Sequence, residues 1–84
     1  MHTVELLEEA IKTAHSLGYS VRQDWLGGSG GACEIKGKRW LFVDLSLPPL
    51  EQLDQVLSAI RLVSNDRTLM AVTVRRALDT RKAA

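Results

Sequence analysis

Two aspartates and a glycine-rich segment are the residues of this chain that could take part in chemistry. Asp24 stands shortly before the segment 27–31, and Asp44 directly follows an apolar run. Two carboxylates held close together can divide the roles of general acid and general base. A glycine-rich loop can present its backbone N–H groups to a bound anion. The candidate ligand-binding residues are therefore Asp24, Gly27, Gly28, Ser29, Gly30, Gly31 and Asp44.

The glycine-rich segment does not match the familiar phosphate-binding motifs. The Walker A alignment open to this chain has Ala32 in place of the first glycine and Arg39 in place of the Ser or Thr. A Gly-x-Gly-x-x-Gly pattern that starts at Gly28 meets Cys33 at the position of its last glycine. We therefore expect a mobile connection. The alternative is a binding loop, and the acids nearby favour a cation or a peptide over a phosphate as its ligand.

Each reactive residue also has a structural interpretation. Asp44 can accept hydrogen bonds from Ser46 or from free amides at the start of the following helix. Cys33 could be a nucleophile with His15 as its base, but a cysteine opposite Trp40 in a hairpin is more often a small buried residue. We expect no catalytic residue, and hence binding rather than an enzymatic activity.

Composition narrows the function classes further. The single cysteine and the two histidines, His2 and His15, lack the spacing of a metal site, so we expect no metal, no disulfide and no cofactor. A net charge of +1 gives no broad attraction to nucleic acid or to an anionic membrane. No apolar run approaches the roughly 20 residues of a membrane span. The lone thiol and the absence of a signal-peptide pattern predict a cytoplasmic location.

Two small groups of basic residues leave weak nucleic-acid binding as a third hypothesis. The group at the hairpin tip and the group near the C-terminus are Lys36, Lys38 and Arg39, and Arg75, Arg76, Arg81 and Lys82. They could contact phosphates if they shared one face. Because the net charge is so small, we do not expect nucleic acid to be the partner.

Apolar residues recur at helical spacing in two segments that would position these groups. Residues 4–17 form the first predicted helix, with Thr3 as its N-cap. Residues 49–63 form the second, and a pair of prolines stands at its start, where proline is tolerated. The apolar face of the second helix comprises Leu50, Leu53, Leu57 and Ile60.

Extended segments are predicted between the two helices. Residues 19–25 read as a strand, and residues 32–45 read as a hairpin. With Lys36-Gly37 as the turn, Glu34 lies opposite Arg39, whereas a turn one residue later would set two basic residues together. The first register is therefore favoured, and glycine suits the positive φ that such a turn needs.

The second strand of the hairpin decides where a site could lie. Its run 40–43 is apolar on both faces, so we expect this strand to be central or to meet another subunit. In an antiparallel meander of the three strands, segments 19–25 and 39–45 run in the same direction. Their carboxyl ends then share one edge of the sheet, so the two aspartates and the glycine-rich segment are expected together there.

The C-terminal part of the chain allows two structures. Its β-branched residues favour a short fourth strand at 69–74, parallel to 39–45, with Thr73 then capping a short last helix. The alternative is one continuous helix over 67–80. Residues 81–84 are expected to fray.

The element order predicts a single α+β domain over residues 1–84. The predicted sheet has three or four strands, arranged as an antiparallel meander with a parallel fourth strand if 69–74 is extended. Two main helices pack on it, followed by a short C-terminal helix. A domain of this size buries only about 60–65% of its unfolded surface, so a partner subunit is the simplest supplement to its core.

The middle of the chain resembles a group of short uncharacterised bacterial proteins. The residues that carry this resemblance are Leu26-Gly-Gly-Ser-Gly-Gly-Ala-Cys33, Lys36-Gly-Lys38, Leu-Phe-Val-Asp44 and Glu51-Gln-Leu53. The resemblance covers residues 17–63, implies a bacterial, cytoplasmic origin and names no activity. The hairpin and the next helix also resemble part of the ImmA/IrrE-type zinc peptidases, but residues 51–63 contain no histidine for their His-Glu-x-x-His motif.

These observations lead to three hypotheses about function. The first is a small protein-interaction module that acts as a homodimer and binds a further protein, with Trp25, Trp40 and Phe42 at the interface. The second is a ligand-binding or enzymatic site at the glycine-rich edge, and the third is weak nucleic-acid binding.

Overall fold

Three helices and three strands form the part of the chain that the computed structural model describes, residues 2–81. The helices are α1 (Thr3–Ser16), α2 (Pro49–Val63) and α3 (Val72–Thr80). The strands are β1 (Ser20–Asp24), β2 (Gly31–Ile35) and β3 (Lys38–Asp44). The predicted α+β class, its two main helices and its short C-terminal helix are confirmed. Thr3 is not the cap of α1, because it already belongs to the helix and His2 precedes it.

The sheet has the order β1-β3-β2, with β3 in the centre. Strand β1 runs parallel to β3, and β2 runs antiparallel to it. The expected common direction of β1 and β3 is confirmed, but the meander is wrong, because β1 pairs with β3 and not with β2. Leu41 and Val43 are fully buried, and a strand so apolar is best placed between two others. The glycine-rich segment connects β1, on one side of β3, with β2 on the other side, and it passes the end of β3 on the way.

The β2–β3 hairpin has the predicted turn and register. Lys36 and Gly37 have φ values of 53° and 79°, the pair of positive angles typical of a type I′ turn. Glycine adopts such an angle without the clash that a β-carbon causes. The cross-strand pairs are Ile35 with Lys38, Glu34 with Arg39 and Cys33 with Trp40.

Helices α1 and α2 pack against each other and against the same face of the sheet. Leu41 and Val43 enter the core from that face, and the Tyr19 hydroxyl donates a 2.8 Å hydrogen bond to the carbonyl of Ala59 in α2. The remaining buried apolar residues are Leu7, Ala10, Ala14, Leu53, Val56, Leu57, Ile60, Val74, Ala77 and Leu78. Within residues 2–81 no helix covers the other face of the sheet, which we call the open face.

The prediction of a fourth strand at 69–74 is wrong, because α3 begins at Val72 and the residues before it are not extended into the sheet. Helical spacing places Val74, Ala77 and Leu78 in the core against α1 and α2, and this burial outweighs the β-propensity of the segment. The alternative helix over 67–80 is correct in type but starts too early. Thr73 is inside α3 and does not cap it.

The expected fraying of residues 81–84 is wrong for Arg81. Its guanidinium donates to both carboxylate oxygens of Asp54, at 2.7 and 2.9 Å. The end of α3 is thereby joined to α2. Residues 82–84, including Lys82 of the predicted basic group, lie outside the described part of the chain.

Substitution of the central strand tests this packing. Leu41→Ala is expected to lower the free energy of unfolding by about 2–5 kcal/mol, because it opens a cavity between sheet and helices. Leu69→Ala is the matched control, since Leu69 is 93% exposed, and it should change that free energy by less than about 0.5 kcal/mol. Urea denaturation followed by tryptophan fluorescence measures both. Equal losses would contradict the central position of β3.

Candidate functional site

The carboxyl ends of β1 and β3 lie side by side, and the predicted site residues gather at this edge of the sheet. Asp24 and Asp44 are neighbours in the parallel pairing. The segment 27–31 begins just after β1 and ends at the start of β2, so it crosses the same edge. The residues that the sequence placed together are therefore together, although the strand order differs from the predicted one.

The Asp44 carboxylate is fully buried and accepts four hydrogen bonds from the chain itself. The Leu26 and Gly28 amides donate to it over 3.0 and 2.6 Å. The amide and hydroxyl of Ser46 donate over 2.9 and 2.6 Å. The bonds to Ser46 confirm one structural interpretation of Asp44, and those from the glycine-rich loop were not foreseen. Of the N–H groups in the segment 27–31, that of Gly28 is thus occupied by a side chain of the protein, and that of Ser29 donates to the carbonyl of Leu26.

These hydrogen bonds determine the protonation state of Asp44. The Ser46 hydroxyl, and after it the backbone amides of Leu26, Ser46 and Gly28, lower the pKa of Asp44 from 3.8 to about 2, while burial opposes the change. The carboxylate is therefore ionised at neutral pH. An ionised group whose oxygens are already engaged is a poor general acid, and its burial keeps it from acting as a base on a substrate.

Two glycines in the loop are required by its close approach to β3 and α2. Gly28 has φ of 96°, a left-handed conformation that brings its N–H to Asp44. A β-carbon on Gly30 would lie 2.5 Å from the side-chain nitrogen of Gln55 and 2.9 Å from the carbonyl oxygen of Phe42. At these two positions the segment is thus fitted closely to its surroundings, while the expectation of a mobile connection stays a prediction.

Two glutamines of α2 complete the edge, and sequence reasoning missed both. The side-chain oxygen of Gln55 accepts a 2.9 Å hydrogen bond from the Asp44 amide. The side-chain nitrogen of Gln52 donates over 2.8 Å to the carbonyl of Leu47. The signal in the sequence was the position of Gln52 next to Leu53 of the apolar face, since an amide that becomes buried there needs hydrogen-bond partners.

Asp24 has a different environment from its neighbour. Its side chain is exposed and accepts a 2.8 Å hydrogen bond from the amide of Trp25. Its other carboxylate oxygen lies 4.0 Å from Nε of Arg22. The two aspartates are adjacent in register but make separate contacts, so the arrangement holds two turns together rather than forming an acid–base pair.

Aromatic side chains occupy the open face. The rings of Trp40 and Phe42 stack with centroids 5.8 Å apart and planes 11° apart, and both residues are half-buried. Nζ of Lys38 lies 4.9 Å from the centroid of the Trp40 ring, which is a cation–π contact. Arg22 is the neighbour of Phe42 in β1, so it belongs to the same face. Trp25 is 73% exposed just beyond the end of β1.

Cys33 is also on this face, opposite Trp40, and the expectation that it is buried is wrong. It lies on an edge strand whose open face is not covered by any helix of the described residues. A groove of about 280 Å³ runs from the open face to the glycine-rich loop and is lined in part by Leu26, Ser29, Cys33 and Phe42. The open face and the predicted glycine-rich edge are therefore continuous.

The basic residues near the C-terminus are used largely within the fold. Arg75 donates to the carbonyls of Asn65 and Thr68, over 3.2 and 2.5 Å. The bond between Arg81 and Asp54 neutralises a second cation of this group. At the hairpin tip, Arg39 donates to the Leu17 carbonyl over 3.4 Å. These contacts hold Arg39, Arg75 and Arg81 against the fold, which leaves the three guanidinium groups less free to reach a phosphate.

Comparisons with protein-family models, with curated proteins and with solved structures give no match to this chain. None of the helices in residues 2–81 has the length and apolar content that crossing a membrane requires. Over the same range, no three His, Cys, Asp or Glu side chains come together in a group that could hold a metal ion.

The buried carboxylate predicts a specific dependence of stability on pH. Because folding lowers the pKa of Asp44 from 3.8 to about 2, its contribution to stability is present above pH 3.8 and is lost as the pH falls toward 2. Asp44→Asn should destabilise the protein at neutral pH, since the amide nitrogen cannot accept the bonds that the carboxylate accepts. Urea denaturation at a series of pH values measures both effects.

Asp24→Asn is the matched control, because Asp24 is the neighbour of Asp44 in register but is exposed. We expect this control to keep both the neutral stability and the acid-dependent loss. The difference between the wild-type and Asp44→Asn profiles should shrink as the pH falls below 3.8. A difference that stays constant down to pH 2 would show that the charge of Asp44 does not stabilise the fold.

Proposed function

We propose that this protein is a small interaction module that acts as a homodimer and binds a protein segment on its open face. The observation that carries the proposal is the Trp40–Phe42 stack, which lies on the side of the sheet that α1 and α2 leave uncovered. Aromatic residues are enriched at protein interfaces because they bury a large area with few rotatable bonds. The resemblance to short bacterial proteins supports a cytoplasmic location in a bacterium.

The charges on the open face indicate the chemistry of the bound segment. Lys38 contacts the Trp40 ring, and Arg22 lies beside Phe42 on the neighbouring strand β1. Asp24 offsets part of this charge but reaches Arg22 only at 4.0 Å. Apolar side chains flanked by carboxylates would complement such a surface.

Size supports the homodimeric part of the proposal. A domain of 84 residues has a small core, and a second subunit is a common way to add buried apolar area. Residues 32–35 of β2 are all exposed.

Sedimentation velocity on the purified protein at micromolar concentration should report twice the mass of one chain. A strictly monomeric mass over the accessible range of concentration would contradict the homodimer.

The other two hypotheses have less support from the geometry. Asp44 already bonds to the amides of Leu26 and Gly28, so neither its carboxylate nor these two N–H groups are free for a ligand. Arg75 and Arg81 bond to carbonyls and to Asp54, which weakens the case for nucleic acid.

Two labelled peptides of about eight residues, the length of a strand, test the partner chemistry. Both carry the same apolar centre of leucine and phenylalanine, and they differ in having either glutamates or lysines on both sides of that centre. Fluorescence anisotropy should show that the glutamate peptide binds about tenfold more tightly, because it can form two exposed ion pairs. Phe42→Ser should weaken binding of both peptides, and Leu69→Ser, at an exposed position outside the sheet, should not.

If Phe42→Ser disturbs the fold, reversing the charges on the open face still tests the preference between the two peptides. Arg22→Glu combined with Lys38→Glu changes exposed side chains only and should invert the preference between the two peptides. Equal affinity for both peptides, or an unchanged preference in the reversed variant, would contradict binding on the open face.

A further inference from the structure

The free edge of β2 differs from the free edge of β1. Natural edge strands avoid unwanted pairing by charged side chains, proline or bulges. Strand β1 follows this rule, since its last three residues are Arg22, Gln23 and Asp24. The sequence of β2 is Gly-Ala-Cys-Glu-Ile, and its single charge, Glu34, lies opposite Arg39 of β3. Strand β2 is therefore the edge that remains open to another strand.

The hairpin register determines which backbone groups point outward from β2. In a hairpin with a two-residue turn, the residues that flank the turn exchange both of their hydrogen bonds. Ile35 therefore directs its N–H and C=O toward β3, and alternation along the strand makes Cys33 do the same. The N–H and C=O of Ala32 and Glu34 then point away from β3, to the side where residues 2–81 place no further strand.

We propose that two copies of this chain join through β2, paired antiparallel about a two-fold axis at Cys33. In this arrangement Ala32 of each copy exchanges backbone hydrogen bonds with Glu34 of the other. The two Cys33 residues form a pair without hydrogen bonds, and their Cα atoms are about 4.5 Å apart. The arrangement specifies the interface of the homodimer proposed above and rests on that proposal.

The number of paired residues and the charge of Glu34 favour this register over its neighbours. With the axis at Cys33, all five residues of β2 are paired, whereas an axis at Ala32 would pair only Gly31, Ala32 and Cys33 of the strand. An axis at Glu34 would set the two glutamates directly opposite each other, and like charges in that position are destabilising. An axis between two residues would oppose an outward-pointing residue to an inward-pointing one, which an antiparallel ladder does not allow.

The surroundings of β2 leave room for a second strand. A groove of about 300 Å³ lies beside β2 on the helix side, lined in part by Ala32, Leu62 and Val63. Leu62 and Ile35 are large apolar side chains that the single chain leaves exposed. A strand added at this edge covers apolar surface on both faces of β2.

The proposed pairing also joins the two open faces. Each copy contributes three strands to one continuous sheet, because the axis is perpendicular to the sheet and keeps the helices of both copies on one side. The Trp40–Phe42 stacks of the two copies then lie on a common surface. A bound segment could extend across both copies, which enlarges the area available to it.

The single cysteine of the chain makes the axis directly testable. Mild oxidation with copper–phenanthroline should convert the protein to a disulfide-linked dimer, because Cα atoms about 4.5 Å apart suit a disulfide. The comparison variant combines Cys33→Ser with Ile35→Cys, which moves the thiol along the same face to another exposed position. Its two thiols would belong to Cα atoms more than about 10 Å apart, so linkage should be at least tenfold slower.

A proline substitution tests the outward hydrogen bonds independently. Glu34→Pro removes an N–H that points away from β3, a position where an edge strand tolerates proline. This variant should keep the fold, as seen by circular dichroism, and should sediment as a monomer. If the Glu34→Pro variant is unfolded, the oxidation experiment alone tests the interface, because the wild-type protein used there keeps the sequence of β2 unchanged.

The possible outcomes separate the two proposals. Rapid linkage of the wild type together with slow linkage of the comparison variant supports the axis at Cys33. A dimeric mass with no linkage, or with equal linkage rates, overturns this interface and leaves the homodimer standing. A monomeric mass at all concentrations overturns both the interface and the homodimer. Binding of a protein segment to the open face is then tested by the peptide experiment alone.

Discussion

The Asp44 carboxylate connects three parts of the chain that are distant in sequence. It receives the amides of the loop after β1 and the amide and hydroxyl of the turn before α2. Its own amide donates to Gln55 of α2. Because charge-assisted hydrogen bonds are stronger than neutral ones, this buried centre can hold a loop that has little side chain of its own to pack. The path of the chain from β1 to β2 depends on it.

That path explains why the sheet has two different faces. The chain crosses the end of β3 within a short loop, so β3 is enclosed by β1 and β2 in a sheet of three strands. Both long helices then pack on the side of Leu41 and Val43. The alternate residues, Trp40 and Phe42, are left to stack on each other. The same constraint that organises the core therefore leaves an aromatic surface without a covering element.

Local signals in the sequence predicted part of this structure well. The limits of α2, the turn at Lys36-Gly37 and the pairing of Glu34 with Arg39 depend on nearby residues, and all were predictable. The meeting of Asp24 with Asp44 needed only the direction of two strands, so it survived a wrong strand order. The partner of β1, by contrast, is chosen by long-range packing that no local pattern records.

The errors concern residues whose environment is decided by distant elements. The segment before and within α3 has strand-like composition, and only the apolar surface of α1 and α2 makes a helix the better solution. Cys33 was expected inside because the open face was not foreseen. The role of Gln55 required knowledge of where β3 ends relative to α2, which follows from the loop and not from the helix sequence.

The strand order has a consequence for how the chain reaches its final form. The β2–β3 hairpin closes through two residues and can assemble within about 1–10 μs. Strand β1 precedes it in the chain yet pairs only with β3, the last strand to leave the ribosome. The N-terminal helix and β1 therefore cannot complete their packing until β3 has been synthesised. We therefore expect folding to begin at the hairpin and α2, whose contacts are local, with the N-terminal part docking afterwards.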